Sequence, residues 1–266
     1  MAHHVCGTAT SLVSNAGKLV VVGPMVPLYT WSTATVSNML KEDGVSPVTT
    51  LGDVIFRLNR SPVDVLNAIK AIISEGRLND FRNVAYTYSV WNGHACMSNA
   101  GQVSNGVHAA YSMRLTGYKT VFVAYRITGT PESNQPLFTL GNLRMKVLSY
   151  DNTKMGNEDI PGVTIPLDTN GTISIVGMQF SLVGGTDTDL AYIGTNGTSV
   201  THVQNVWLND YTPAGSTDII DFVLGEAYPA AASPSMEWYD IQYFTENTMT
   251  DLDIIRIRDA MKAQYA

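Results

Sequence analysis

Beyond Val84 the chain is cut by Gly, Asn and Pro into short runs, several of which alternate apolar with polar residues. Alternation at period two is the mark of a strand with one buried face, and many short strands with frequent turns enclose a core as stacked sheets. The runs read as strands are 84–91, 107–115, 120–127, 137–140, 143–150, 172–183, 191–194, 199–208, 218–224 and 236–244. In the third, Val121, Val123, Tyr125 and Ile127 share a face, while Phe122 and Ala124 make the other face apolar as well. That strand is expected at the centre of its sheet. Leu143, Met145 and Val147 alternate with Arg144 and Lys146, which turns one face inward. Asn196-Gly197 is expected to be a hairpin turn, because both residues tolerate positive φ. With no self-similarity at a fixed period, repeat architectures are set aside.

The chain closes with a strand and a helix. In Met236–Phe244, Tyr239, Ile241 and Tyr243 form one apolar row; Asp240 and Gln242 lie on the other, with Trp238 as its exception. Thr250 is placed to cap a helix with Asp251 and Asp253 in its first turn, where the helix dipole favours negative charge. Ile254, Ile257, Met261 and Tyr265 recur at helical spacing and give one face to dock, leaving Arg256, Arg258, Lys262 and Gln264 for water. A helix this short is marginal alone and must lean on a sheet.

The run from Val223 to Tyr265 resembles the close of a concanavalin A-like, laminin-G-like jelly roll: a strand ends in Gly225, a loop follows, and a last strand leads into a short helix. Tyr118–Ile127 followed by Pro136–Gly141 is similar to that family's central strand pair. The resemblance covers roughly Gly106 to Ala266. It implies an all-β fold, a concanavalin A-like jelly-roll β-sandwich, taken to run 84–266; the residues before it, 1–83, read as an N-terminal arm for docking and assembly and an inserted helix, either buried on its own domain or docking on a neighbouring subunit. Within 1–83, Leu28-Tyr29-Thr30-Trp31 reads as an anchor. The inserted helix runs from a capping Ser61 with Pro62 behind it to Gly76, with Val65, Leu66, Ile69, Ile72 and Ile73 as its stripe.

Charge narrows the function. Net charge is −7, charged residues are 15% of the chain, and the pI is near 5.1. No basic face is visible for phosphate, so nucleic acid is not an expected partner. No apolar run is long enough to span a bilayer. Lys18–Pro27 lacks a basic leader and a cleavage site, so it is not read as a signal peptide. Cys6 and Cys96 are too few for a disulfide framework.

The family's hydrolases carry Glu-x-Asp-x-x-Glu along one strand; here that motif is absent. Glu237 and Asp240, and likewise Asp218 and Asp221, are three apart and expected on opposite faces. Glycoside hydrolysis needs two carboxylates facing one cleft. No Gly-x-Ser-x-Gly elbow or phosphate loop occurs, and His94, His108 and His202 lack an evident partner. His94 and Cys96 are expected to share a strand face, more simply as a core thiol beside a surface imidazole than as a dyad.

Binding is the more natural use of the scaffold. An aromatic platform beside Asn and Asp groups suits a sugar, and Trp207, Asn209, Asp210 and Tyr211 supply that set at one strand end, Tyr150 and Asp151 at another. Family members hold calcium at a rim, for which Gly184–Asp189, with carboxylates Asp187 and Asp189, is the nearest match; no cofactor is otherwise expected. Asn170-Gly-Thr and Asn196-Gly-Thr fit the glycosylation sequon but read as turns. As it occurs in bacteriophage virion proteins, the family leads us to expect a non-enzymatic particle component, a capsid decoration or a tail or fibre host-attachment protein. Its partners would be other virion proteins, further copies of itself and a cell-surface glycan, with the chain made in the host cytoplasm and carried in the virion. The alternative is a carbohydrate-binding module acting in solution.

Overall fold

Strands with one apolar face bury it by stacking sheet on sheet, and among the described residues this chain does so with antiparallel pairs. A computed structural model describes residues 29–41, 43–55, 57–59, 77–78, 86–99, 111–115, 119–140, 143–157, 162–168, 171–183, 187–206, 218–224, 234–244 and 249–266. The first strands are β1 (Tyr29–Ser32), β2 (Met39–Leu40), β3 (Val54–Ile55), β4 (Arg57–Asn59), β5 (Arg77–Leu78), β6 (Tyr86–Trp91) and β7 (His94–Ser98). Then come β8 (Tyr111–Leu115), β9 (Lys119–Ile127), β10 (Pro136–Leu140), β11 (Leu143–Leu148), β12 (Asp151–Gly156) and β13 (Thr164–Pro166). The chain ends with β14 (Ser174–Val183), β15 (Asp187–Ile193), β16 (Thr201–Val206), β17 (Asp218–Leu224), β18 (Met236–Phe244) and helix α1 (Asp251–Gln264).

Among the described residues the larger sheet has nine strands in the order β16-β15-β14-β9-β18-β7-β6-β3, with β1 pairing the second half of β18 beside β7. The second sheet runs β13-β12-β11-β10-β17-β8, and β2-β4-β5 form a small third sheet. The fold is therefore the all-β sandwich with a C-terminal helix that the sequence implied. Residues 29–32 and 54–55, which the sequence reading placed with the arm, are strands of the large sheet. The arm before Tyr29 and the helix at 61–76 lie outside the described residues.

As its two apolar faces require, β9 sits between β14 and β18 at the middle of the large sheet. Val121, Val123, Tyr125 and Ile127 enter the core between the sheets with Met145 and Val147 of β11. Phe122 and Ala124 point the other way, into a second core capped by α1. Every residue of β18 is buried, so it is covered on both faces rather than one.

The alternation expected along β18 is broken by a bulge. Trp238 pairs with Tyr125 and Asp240 with the next residue back, Ala124, leaving Tyr239 as the extra residue. One extra residue reverses the facing of everything beyond it. Met236, Trp238, Ile241 and Tyr243 accordingly share the inter-sheet core, where the Trp238 ring meets Tyr125 at 5.9 Å and Phe138 of the opposite sheet at 6.3 Å. Tyr239 turns to the α1 side with Phe244. Glu237 and Asp240, expected on opposite faces, both lie on that side: Glu237 holds Arg126 and Tyr239, and Asp240 holds the end of α1.

α1 begins as expected. Thr250 Oγ1 accepts from the Asp253 amide at 3.3 Å, and Asp253 Oδ2 accepts from the Thr250 amide at 3.1 Å, closing a capping box. Ile254, Ile257 and Met261 are buried against the sheet. Arg258 and Gln264, expected in water, are buried as well: Arg258 donates to the connection after β15 and Gln264 to Asp240 on β18.

The turns also differ in one respect. The positive φ expected at Asn196-Gly197 is found instead at Asn92 and Gly93 (48° and 82°), the tight turn that joins β6 to β7. Asn196 and Gly197 belong to the longer 194–200 connection between β15 and β16, which do form the expected antiparallel pair.

Candidate functional site

Among the described residues both sheets end, on the side of the cleft, with β13 as the last strand of the smaller and β16 as the last of the larger. A cleft of about 240 Å³ opens between them. One wall is 164–168, leading out of β13; the other is the end of β15, the 194–199 turn and Thr201 at the start of β16. The two walls are tied across the sandwich by Tyr192, whose hydroxyl donates to the Gly162 carbonyl at 2.7 Å and accepts from the Thr164 amide at 3.2 Å. At Gly194 a Cβ would stand 2.8 Å from Ile165 Cγ2, so a glycine there lets the walls approach this closely.

The outer wall is fixed from behind by α1. Arg258 Nη1 donates to the carbonyls of Gly194 at 2.6 Å and Thr195 at 3.1 Å, while its Nε donates to Asp259. Lys262 Nζ donates to Asn196 Oδ1 at 2.8 Å. Thr195 Oγ1 accepts from the Ile175 amide at 2.8 Å, and the Gly197 amide donates to the Gly194 carbonyl at 3.2 Å. A turn held by this many hydrogen bonds is formed before any ligand arrives, which lowers the ordering cost of binding. On the opposite wall Asp168 Oδ2 accepts from Thr172 Oγ1 at 2.5 Å. The lining mixes hydroxyls of Thr164, Ser199 and Thr201 and the Asn196 amide with apolar surface from Ile165 and Pro166.

A second polar cluster lies under α1 on the outer face of the large sheet. Glu237 Oε2 accepts from Arg126 Nε at 2.8 Å, Arg126 Nη2 at 2.7 Å and Tyr239 at 2.6 Å, and the Arg126 guanidinium stacks 4.4 Å over Trp91. Asp240 accepts from Gln264 Nε2 at 3.1 Å and from the Tyr265 hydroxyl. Burial pushes the Asp240 carboxyl up to about 7, against hydrogen bonds from Ser32, Tyr265 and Gln264, which favour the carboxylate. Cys96 lies in the same layer; burial, with the Glu237 charge, pushes its thiol up to about 12, the opposite of an activated nucleophile. His94 is stacked edge-on against Tyr265 at 5.2 Å. With Glu237 and Asp240 both buried, no substrate reaches this pair of carboxylates.

Of the residues singled out for sugar, Trp207, Asn209, Asp210 and Tyr211 lie outside the described residues. Tyr150 is 72% exposed on the tip between β11 and β12. Asp151 beside it is held within the turn by the Thr153 amide and hydroxyl and by Lys154 Nζ at 2.8 Å, which keep its carboxyl low, at about 2. Neither lines the cleft. Asp187 and Asp189 are not in a loop: they belong to β15, paired with Val183 and Ser181, and Asp189 is exposed. Among the described residues no group of three or more His, Cys, Asp or Glu side chains is placed to share a metal. His108 and Cys6 lie outside the described residues, and His202 pairs with Asp251 at 3.0 Å on the surface. The cleft itself was missed from sequence. Its signals were the Asn-Gly turn at 196–197 and the short alternation of Val163, Ile165 and Leu167 around Pro166, a residue that sheets tolerate at an edge.

No protein-family profile matches the sequence, and no curated protein matches it. Solved structures do. An arabinofuranosidase complexed with arabinofuranosyl-alpha-1,2-xylobiose matches with a TM-score of 0.50 and 8% identity, over 91% of this chain and 64% of that one. The CBM40 of Ruminococcus gnavus IT-sialidase, bound to alpha2,3 sialyllactose, gives 0.38 and 12%, over 59% of this chain and 95% of that one. The binding domain of botulinum neurotoxin DC, in complex with SialylT, gives 0.34 and 7%, over 66% and 51%. The chain thus spans about half the length of the toxin binding domain and under two thirds of the arabinofuranosidase. At such identities the likeness is one of fold.

Proposed function

We propose that this chain is a non-enzymatic, lectin-like β-sandwich that binds glycan in the cleft between β13 and the β15–β16 connection. One observation carries the reading: a preformed cleft at the sandwich edge that combines hydroxyl and amide groups with small apolar surfaces. Sugars present hydroxyls around their rims and C–H faces between them, and a site with both kinds of surface satisfies both. The absence of catalysis is supported by the carboxylate count. Among the described residues the cleft carries one, Asp168, whereas glycoside hydrolysis uses a facing pair.

The setting we propose is a virus particle such as a bacteriophage, with the sandwich outward and the parts of 1–83 outside β1 and β3 making subunit contacts. What favours it is composition: charged residues are 15% of the chain, with Thr, Ser, Asn and Gly supplying polarity instead. A fold alone decides neither role.

Ser199 is exposed and lines the cleft, so Ser199→Arg fills it without touching the core. On a glycan array the wild type is expected to bind a defined set of glycans, and Ser199→Arg to lose them with an unchanged Tm. Equal binding by both proteins would remove the cleft from the account.

A further inference from the structure

The outer wall of the cleft is only as firm as the helix that holds it. Arg258, in the middle of α1, donates to the Gly194 and Thr195 carbonyls, and Lys262, in its last turn, donates to the lining residue Asn196 at 2.8 Å. That last turn is itself held down by Asp240, which accepts from Gln264 Nε2 at 3.1 Å and from the Tyr265 hydroxyl. Asp240 is 2% exposed, so a carboxyl is buried against the C-terminal end of a helix, the negative end of its dipole. The described groups facing it are Ser32 of β1, Gln264 and Tyr265 of α1 and the neighbouring Tyr239 of β18, with His94 of β7 edge-on to Tyr265. Glu237 and Cys96, in the same layer, meet Tyr239 instead. Among the described residues the cations are spent elsewhere: Arg126 on Glu237, Arg258 on the wall and Asp259, Lys262 on Asn196. Thr30 Oγ1 and Gln242 Oε1, on residues paired across β1 and β18, and Gln264 Oε1 are buried with no hydrogen-bond partner. Burial without a cation, at a helix C-terminus and among spare oxygens, favours the acid over the carboxylate.

We propose that Asp240 is a pH latch on the cleft: as the acid it keeps the last turn of α1 on the sheet, and once ionised it frees that turn together with the Lys262 hold on Asn196. Glycan binding then weakens as pH rises, a regulation that rests on the glycan reading above. An ionised Asp240 regains water only if Gln264 and Tyr265 lift, and the last turn of a helix, with its unpaired carbonyls, opens more readily than the middle. Arg258, one turn earlier, keeps its carbonyls, so the wall loosens without leaving. The sign follows from a carboxyl raised to about 7: the latch is closed below that pH and opens above it. At the other end of α1, His202 pairs with Asp251 on the surface, next to Thr201 of the lining. Asp240→Asn leaves that pair in place and so separates the two groups.

The test is hydrogen exchange of the full chain at pH 5 and pH 8, scaled to the intrinsic rate at each pH, on the wild type, Asp240→Asn and Lys262→Met. It is paired with titration of the glycan that binds most strongly on the array. At pH 8 the wild type is expected to lose protection at 258–266 and at 194–199 and to bind the glycan about three- to tenfold more weakly, with neither change in Asp240→Asn. Lys262→Met is expected to show the loosened 194–199 turn at both pH values while its helix end still responds to pH. No pH response in the wild type, or the same response in Asp240→Asn, would overturn the latch. A helix end that opens while 194–199 stays protected and affinity holds would overturn its reach to the cleft. Absence of glycan binding at either pH would remove the binding reading and the regulation resting on it, with the exchange still deciding whether Asp240 moves the wall.

Discussion

Asp240 shows most clearly how one residue's setting becomes a measurable property. Its carboxyl is buried under the last turn of α1 and raised from 3.8 to about 7. Between those values the folded chain keeps a proton that the unfolded chain has lost. Stability is therefore complete below about pH 4 and falls as pH rises through about 7, by something on the order of 4 kcal/mol at most. Asp240→Asn retains a carbonyl to accept from its Ser32, Tyr265 and Gln264 partners but has nothing to ionise. Denaturant melts at pH 5 and pH 8 are expected to differ for the wild type and to coincide for Asp240→Asn; an equal pH dependence in both would refute this assignment. Single residues were also where the sequence was least legible. Period-two alternation gave β18 its bounds, but the bulge at Tyr239 reversed the facing of one half relative to the other, and no local pattern announces a bulge. Arg258 and Gln264 read as surface residues because their acceptors, Gly194, Thr195 and Asp240, are distant in sequence.

At the scale of elements, apolar strands were legible and polar ones were not. β9, β14 and β18 came out near their observed bounds because their burial dictates composition, and the apolar run of β17 came out at its own. β12 (Asp-Asn-Thr-Lys-Met-Gly) and the three-residue β13 at the edge of the smaller sheet each bury a single core side chain within the strand, Met155 and Ile165, too few to set a period, and so gave no signal. β7 is short and lacks β-branched residues; the Asn92-Gly93 turn before it was the available clue. The element that matters most for the cleft is α1, which holds the 194–197 turn from outside the sandwich. Arg258→Met, which keeps the packing of the stem and removes the donors, is expected to cost about 2 kcal/mol, since hydrogen bonds from a charged group are lost and two carbonyls are left without them. Hydrogen exchange at the 194–199 amides should rise with it, while exchange in β9 follows only the global stability. If the turn stays as protected as in the wild type, α1 is packing alone.

For the whole molecule, the sandwich class and the terminal helix were legible because they follow from periodicity and capping summed over many residues. The cleft was not, because it is made where two sheet edges meet, and the partners across it, Tyr192 with Gly162 and Thr164, are about thirty residues apart. The central claim is that this edge is the glycan site. Hydrogen exchange of the full chain, with and without a saturating glycan from the set bound on the array, tests it most directly. Protection confined to 162–168 and 192–201 is the predicted result; protection centred on the exposed Tyr150 tip, or on any surface away from these two segments, would contradict it.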